Sequence, residues 1–150
     1  MNKTFDTTVI IKGIVEPRRK KQDSIFKEQR RVHNIASSML ENIYNNNDIL
    51  FIPMVALVET AAVASRLTGN KDIGRKNSDF VKSISRIVGE NELIDEAISI
   101  AAETKISGFD SVFIACAKIT NSVLVTDDRK MHEAAAKAGV KSKLLRDMSD

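Results

Sequence analysis

Tryptophan is missing from this 150-residue chain, and Tyr44 is its only tyrosine. Stacking platforms for unpaired bases are therefore scarce. Cys116 is the single cysteine, which excludes a disulfide framework and a cysteine-based zinc site. No apolar run reaches the ~18 residues that a membrane span requires. The opening segment MNKTFDTTVIIKG has too short an apolar run for a signal peptide and no cleavage-site pattern. A cytoplasmic protein is the expectation. Gly13, Gly69, Gly74 and Gly108 form no phosphate-cradling pattern, so a nucleotide-binding module is not expected. The length fits one domain, residues 1–150, with a real core.

The formal net charge of +3 is too mild to argue for nucleic acid by itself. Its distribution says more. The segment 18–31, RRKKQDSIFKEQRR, holds seven basic and two acidic residues. Such an arm beside an acidic pocket suits an enzyme that cuts phosphodiesters. A solvated helix face accounts for it equally well.

Along the chain, strand and helix signals alternate. TFDTTVII is β-branched and reads as a first strand that runs on into a turn or helix over 9–15. Ile25, Val32, Ile35, Met39 and Ile43 mark a long helix over 23–44, with Asp23 or Ser24 as its cap. ILFI (49–52) is a strand. Pro53 opens a helix with a Val55, Val58, Ala62, Leu67 stripe, ended by Gly69 and Asn70. Residues 72–88 read as another helix, ELI (92–94) as a brief strand, and 96–104 as a short helix. A helix over 109–119 buries Val112, Phe113, Cys116 and Ile119. SVLVT (122–126) is the clearest strand, followed by a helix over 129–138, a terminator at Gly139 and a last strand over 140–145. The tail after Arg146 is expected to fray. The alternation implies a parallel sheet covered on both faces, an α/β fold with ligands at the carboxyl ends of the strands.

Four acids stand out against this pattern: Asp6, Glu59, Asp110 and Asp128. Three of them adjoin an apolar run, where a carboxylate is costly unless a cation meets it. Asp6 and Asp128 lie at strand ends, Glu59 lies almost two turns into a helix, and Asp110 opens one. All four can face one edge of the sheet. Like charges gathered there would be relieved by a divalent cation. Each acid also has a plain structural reading: a turn former at Asp6, an exposed helix face at Glu59, helix-start acids at Asp110 and at Asp127 or Asp128. The sequence favours Asp128 for the pocket and Asp127 for a cap or a solvated neighbour, and leaves the reverse open. His33 and His132 are isolated surface candidates. Cys116 lies on a buried stripe and reads as core.

The chain resembles the PIN-domain family, and within it the VapC-type ribonucleases. The matching pieces are Asp6-Thr7-Thr8-Val9-Ile10, Pro53 with Glu59, Asp110 with the helix carrying Ala115 and Ala117, and Thr126-Asp127-Asp128. They span nearly the whole chain in order. One departure is Thr8, where the family usually has Asn or Ser; its hydroxyl still supports hydrogen bonding. The resemblance implies a three-layer α/β/α fold with a central parallel sheet. It implies catalytic roles for Asp6, Glu59, Asp110, Asp128 and Thr126, with the four acids holding Mg²⁺ or Mn²⁺ and Thr126 orienting Asp128 or the attacking water. It implies hydrolysis of RNA to a 5′-phosphate and a 3′-hydroxyl, a homodimer, and a small antitoxin whose tail fills the acidic groove. The toxin half of a toxin–antitoxin pair is the first expectation. The alternatives are a PIN nuclease of RNA processing or quality control without an antitoxin, and a non-catalytic scaffold that binds RNA or protein. A short upstream gene for a DNA-binding protein favours the first. Retention of all four acids counts against the last.

Overall fold

The structure is a computed structural model that describes residues 1–149. Five parallel strands form its centre: β1 (Asn2–Phe5), β2 (Ile49–Pro53), β3 (Ser85–Val88), β4 (Val123–Thr126) and β5 (Ser142–Leu144). Their spatial order is β3-β2-β1-β4-β5. The first crossover carries α1 (Thr7–Ile14) and α2 (Ser24–Tyr44), and the second carries α3 (Val55–Thr68) and α4 (Lys71–Ile84). The third carries α5 (Glu90–Thr104) and α6 (Gly108–Ile119), and the last α7 (Arg129–Lys137).

The chain adds strands in one direction from β1 to β3, then jumps back across the sheet to β4 and β5. Right-handed crossovers put connections of opposite direction on opposite faces. The helices accordingly fall into two packed sets. α1 packs on α2 and α3, and α3 on α4; α5 packs on α6, and both touch α7. The result is the expected three-layer α/β/α fold with a central parallel sheet. Phe5, Leu50, Ile52 and Leu124 of the strands and Ile10, Phe113 and Ile114 of the helices are fully buried at its centre.

The reversal of strand order falls between β1 and β4, paired in register at Thr4–Leu124 and Phe5–Val125. Beyond the carboxyl ends of two such strands a crevice opens, because their following helices leave toward opposite faces. Asp6 follows β1 directly, and Asp127 and Asp128 follow β4.

Several sequence expectations need correction. The β-branched run Thr7–Ile11 is helical, because the Asp6 carboxylate accepts from the Val9 N–H at 2.8 Å and caps α1. That cap, with burial of Val9 and Ile10, overrides the strand preference of branched side chains. Pro53 ends β2 and does not open α3. The Glu90 carboxylate instead accepts from the Val55 N–H at 3.0 Å. The expected helix over 72–88 stops at Ile84, and Ser85–Val88 pair with β2 as an edge strand. The ELI segment lies inside α5, which begins at Glu90. The tail is not frayed through Met148: Leu145–Asp147 form a 3-10 turn, and Arg31 donates to the carbonyls of Arg146 and Met148 at 2.8 and 2.7 Å. The last residue of the expected tail, Asp150, lies outside the described residues. Among those residues no helix is long and apolar enough to cross a membrane.

The expected α3 stripe is also displaced. Ala56, Thr60 and Ala64 face inward, while Val58 is 67% exposed. Small residues there let α4 approach closely. A Cβ on Gly74 would stand 2.5 Å from the Ala61 carbonyl oxygen and 1.9 Å from Ser65 Oγ. Overpacking costs about 1–3 kcal/mol, against a gain of at most about 1 kcal/mol in helix propensity from glycine to alanine. Gly74→Ala is therefore expected to lower the urea midpoint of unfolding. An unchanged or raised midpoint would contradict the close α3–α4 contact.

Candidate metal and active site

At the crevice between β1 and β4, a pocket of about 230 Å³ is lined by Asp6, Glu59, Asp110 and Asp128, together with Thr7, Thr8 and Phe113. All four acids singled out in the sequence thus border one cavity. Asp6 arrives from the end of β1 and Asp128 from the turn after β4. Glu59 reaches in from the second turn of α3, where its Oε1 accepts from the Thr7 hydroxyl at 3.1 Å. Asp110 stands in the first turn of α6, which Ser107 caps by accepting from the Asp110 N–H at 3.1 Å.

Asp6 is the deepest, at 4% exposure. It accepts from Val9 N–H and from the Thr126 hydroxyl, but no cation pairs with it among the described residues. Burial pushes its carboxyl up to about 6, the hydrogen bonds from Thr126 and Val9 oppose this, and nearby Asp110 adds to the rise. Glu59 is also held above the usual carboxylate range, first by burial and then by Asp110. Asp110 is raised first by burial and then by Asp128. Asp110 is the common electrostatic neighbour of the other three.

Thr126 is fully buried and joins two of the acids. Its hydroxyl donates to Asp6 and accepts from the Asp128 N–H at 3.0 Å. Asp128 also caps α7, accepting from Lys130 N–H at 2.8 Å and Met131 N–H at 3.2 Å.

Asp127 departs from its expected role as cap or solvated neighbour. Its carboxylate turns away from the acidic pocket and pairs with Lys12 and with Arg146, whose Nε donates at 3.0 Å. Burial raises this carboxyl, but the Lys12 and Arg146 hydrogen bonds prevail and hold it below its ordinary value. Asp128 is both the cap and the pocket acid. The sequence missed Thr7, Lys12 and Arg146; Thr7 is adjacent to Asp6, but the two bases lie far from Asp127 in sequence and carry no local signal. Cys116 is buried, and its thiol is pushed up to about 12 by burial, as suits a core residue. His33 and His132 accept from or donate to Lys12 O and Ser142 Oγ, away from the acids.

A larger cavity of about 510 Å³ lies beside Lys12, Val15, Val32 and Arg146 and contains none of the four acids. The chemistry sits at the smaller one.

The donor set suits a hard divalent cation, since it is all oxygen and is short of positive charge. Among the described residues no three His, Cys, Asp or Glu side chains are already gathered as ligands. Glu59, Asp110 and Asp128 enter no ion pair among those residues, and all three reach solvent.

A family model described as PIN domain matches residues 4–137. The chain belongs to the PIN domain family. No curated protein matches it in sequence. Solved structures match this PIN domain over nearly its whole length. VapBC2 from Rickettsia felis, bound to a DNA fragment from their promoter, matches at 15% identity and a TM-score of 0.65, covering 96% of this chain and 98% of that one. VapBC-1 from nontypeable Haemophilus influenzae matches at 18% identity and a TM-score of 0.62, covering 97% and 98%. FitAcB from Neisseria gonorrhoeae matches at 15% identity and a TM-score of 0.60, covering 97% and 99%. At these identities the likeness is one of fold.

The raised Asp6 carboxyl has a measurable consequence. Its folded value of about 6 exceeds the ordinary 3.8, so the native state binds this proton more tightly than the unfolded chain. Ionised Asp6 weighs against folding above pH 6, and that burden disappears below about pH 4. Metal-free protein is therefore expected to gain stability relative to Asp6→Asn as pH falls from 7.5 to 4, by up to the order of 3 kcal/mol. Chemical denaturation of both proteins across this range checks it. Parallel stability curves would contradict the uncompensated burial of Asp6.

Proposed function

We propose that this PIN domain is a metal-dependent endoribonuclease, the toxin component of a toxin–antitoxin system. The observation that carries the reading is the meeting of Asp6, Glu59, Asp110 and Asp128 around one pocket at the strand-order reversal. A protein that used these acids only as caps and turn formers would have no cause to leave Asp6 buried without a cation.

Asp6, Glu59, Asp110 and Asp128 would hold Mg²⁺ or Mn²⁺. When bound, the ion supplies Lewis acidity toward a phosphate oxygen and acidifies bound water. The protein's own groups do the rest. Thr126 fixes the Asp6 carboxylate through its hydroxyl and the Asp128 backbone through its oxygen. It thereby sets the spacing of two ligands that come from different strands. Thr7 steadies Glu59 in the same way. Asp6, protonated in part near neutrality, gives up its proton as the site fills. The reaction is hydrolysis of a phosphodiester, leaving a 5′-phosphate and a 3′-hydroxyl.

The VapBC and FitAcB structures that share the fold support an antitoxin partner for this chain. Exposed apolar side chains on α3 and α5, among them Val58, Ile94 and Ile98, support a homodimer. Purified protein with Mn²⁺ is expected to cleave single-stranded RNA and to stop when the metal is chelated. Asp110→Asn is expected to keep its melting temperature and lose cleavage by more than the roughly 10–100-fold that removing an outer-shell partner costs. Equal cleavage by the folded variant would overturn the assignment of the site.

A further inference from the structure

The acidic pocket is not closed on the side of α6 and α7. There it opens into a second cavity of about 320 Å³, with which it shares Asp110 and Asp128. That volume lies within the range of pockets that take small ligands. Lys105, Lys130 and Lys137 line the second cavity, and Glu133 is its only acid not shared with the first. None of the three lysines enters an ion pair among the described residues.

Local structure explains two of these lysines and fails for the third. Lys105 ends α5 and Lys137 lies in the last turn of α7, where a cation is favoured by the helix dipole. Lys130 is in the first turn of α7 beside Arg129, with no acid in that turn. A cation there opposes the dipole. It lies directly beside Asp128, whose carboxylate accepts its N–H. With Asp110 and Asp128 committed to the acidic pocket, the second cavity presents three lysines against one glutamate.

We propose that this lysine-lined cavity binds a backbone phosphate of the RNA strand next to the one that is cut. The inference rests on the ribonuclease reading and deepens it by giving the strand a path. A polyanion approaching four carboxylates meets like charge, and a cationic pocket at their edge offsets that repulsion and fixes register. The basic segment 18–31, the sequence's own candidate for this task, lies elsewhere. Arg18 lines the larger cavity on the far side of α1, while Arg19 and Arg31 pair with Asp23 and Glu28.

The test compares wild type with a triple variant, Lys105→Gln, Lys130→Gln and Lys137→Gln. A control variant carries Lys71→Gln, Lys76→Gln and Lys82→Gln on α4, outside both cavities. Affinity for a labelled single-stranded RNA is measured without divalent metal over a series of salt concentrations, and cleavage is measured separately with Mn²⁺. For single strands each neutralised phosphate contributes a slope of about −0.7 to log affinity against log salt. The triple variant is expected to bind at least ~10-fold more weakly at low salt, with a slope shallower by about 2; the control is expected to match wild type. Its kcat/KM should fall with the binding loss while kcat at saturation holds, as removal of a positioning contact requires. Unchanged affinity and slope in the triple variant, or an equal loss in the control, would overturn the proposal. Wild type that binds with the expected lysine dependence yet never cleaves would sink the ribonuclease reading and leave the phosphate site standing. Cleavage by wild type with no lysine dependence would do the reverse.

Discussion

Asp6 is buried with its charge uncompensated, and the arrangement around it follows from that constraint. The carboxylate stands where β1 ends, against the strand beside which the sheet reverses its order. Two donors hold it: the Val9 N–H from the helix it caps and the Thr126 hydroxyl from the neighbouring strand. These bonds stabilise the ion only in part, and the carboxyl remains raised. Three further acids surround the same cavity and add to the excess of negative charge. Such a concentration costs folding energy in the empty protein, a common feature of sites whose function sets their composition.

The turn after β4 shows how neighbouring acids divide their work. Thr126, Asp127 and Asp128 are consecutive but face different surroundings. Thr126 joins Asp6 to the backbone of Asp128. Asp127 turns the other way and is gripped by Lys12 of α1 and by Arg146, which also donates to the Asp127 carbonyl. Arg31 of α2 in turn holds the carbonyls of Arg146 and Met148. The C-terminal turn is thereby tied to α1, α2 and the end of β4 at once. One acid of the pair serves the pocket, and the other anchors the turn that presents it.

The elements that position the site were legible where local signals agreed. The apolar run 122–126, the long periodic helix over 23–44 and the terminators at Gly69 and Gly139 read correctly because propensity, periodicity and capping point the same way. Thr7–Ile11 misled because branched side chains favour strands, whereas the Asp6 cap and burial of Val9 and Ile10 favour a helix. Ser85–Val88 misled for the opposite reason: a four-residue edge strand following a helix continues its apolar spacing and offers no break. The acids themselves were visible through their place beside apolar runs, and the order of the motifs identified the family. What no local pattern carries is long-range pairing. Asp127 with Arg146 and Lys12, and Glu90 with the start of α3, join residues that only the folded sheet brings together.

The central claim is that the four carboxylates form a single site for a divalent cation, and its most direct test is calorimetric titration of metal-free protein with Mn²⁺. Near pH 6.5, in two buffers that differ in ionisation enthalpy, the account expects saturable binding with net proton release, because the raised Asp6 carboxyl must ionise as the site fills. Binding is expected to weaken in Asp110→Asn while the fold is retained. No heat of binding at millimolar Mn²⁺, or binding that Asp110→Asn leaves untouched, would contradict it.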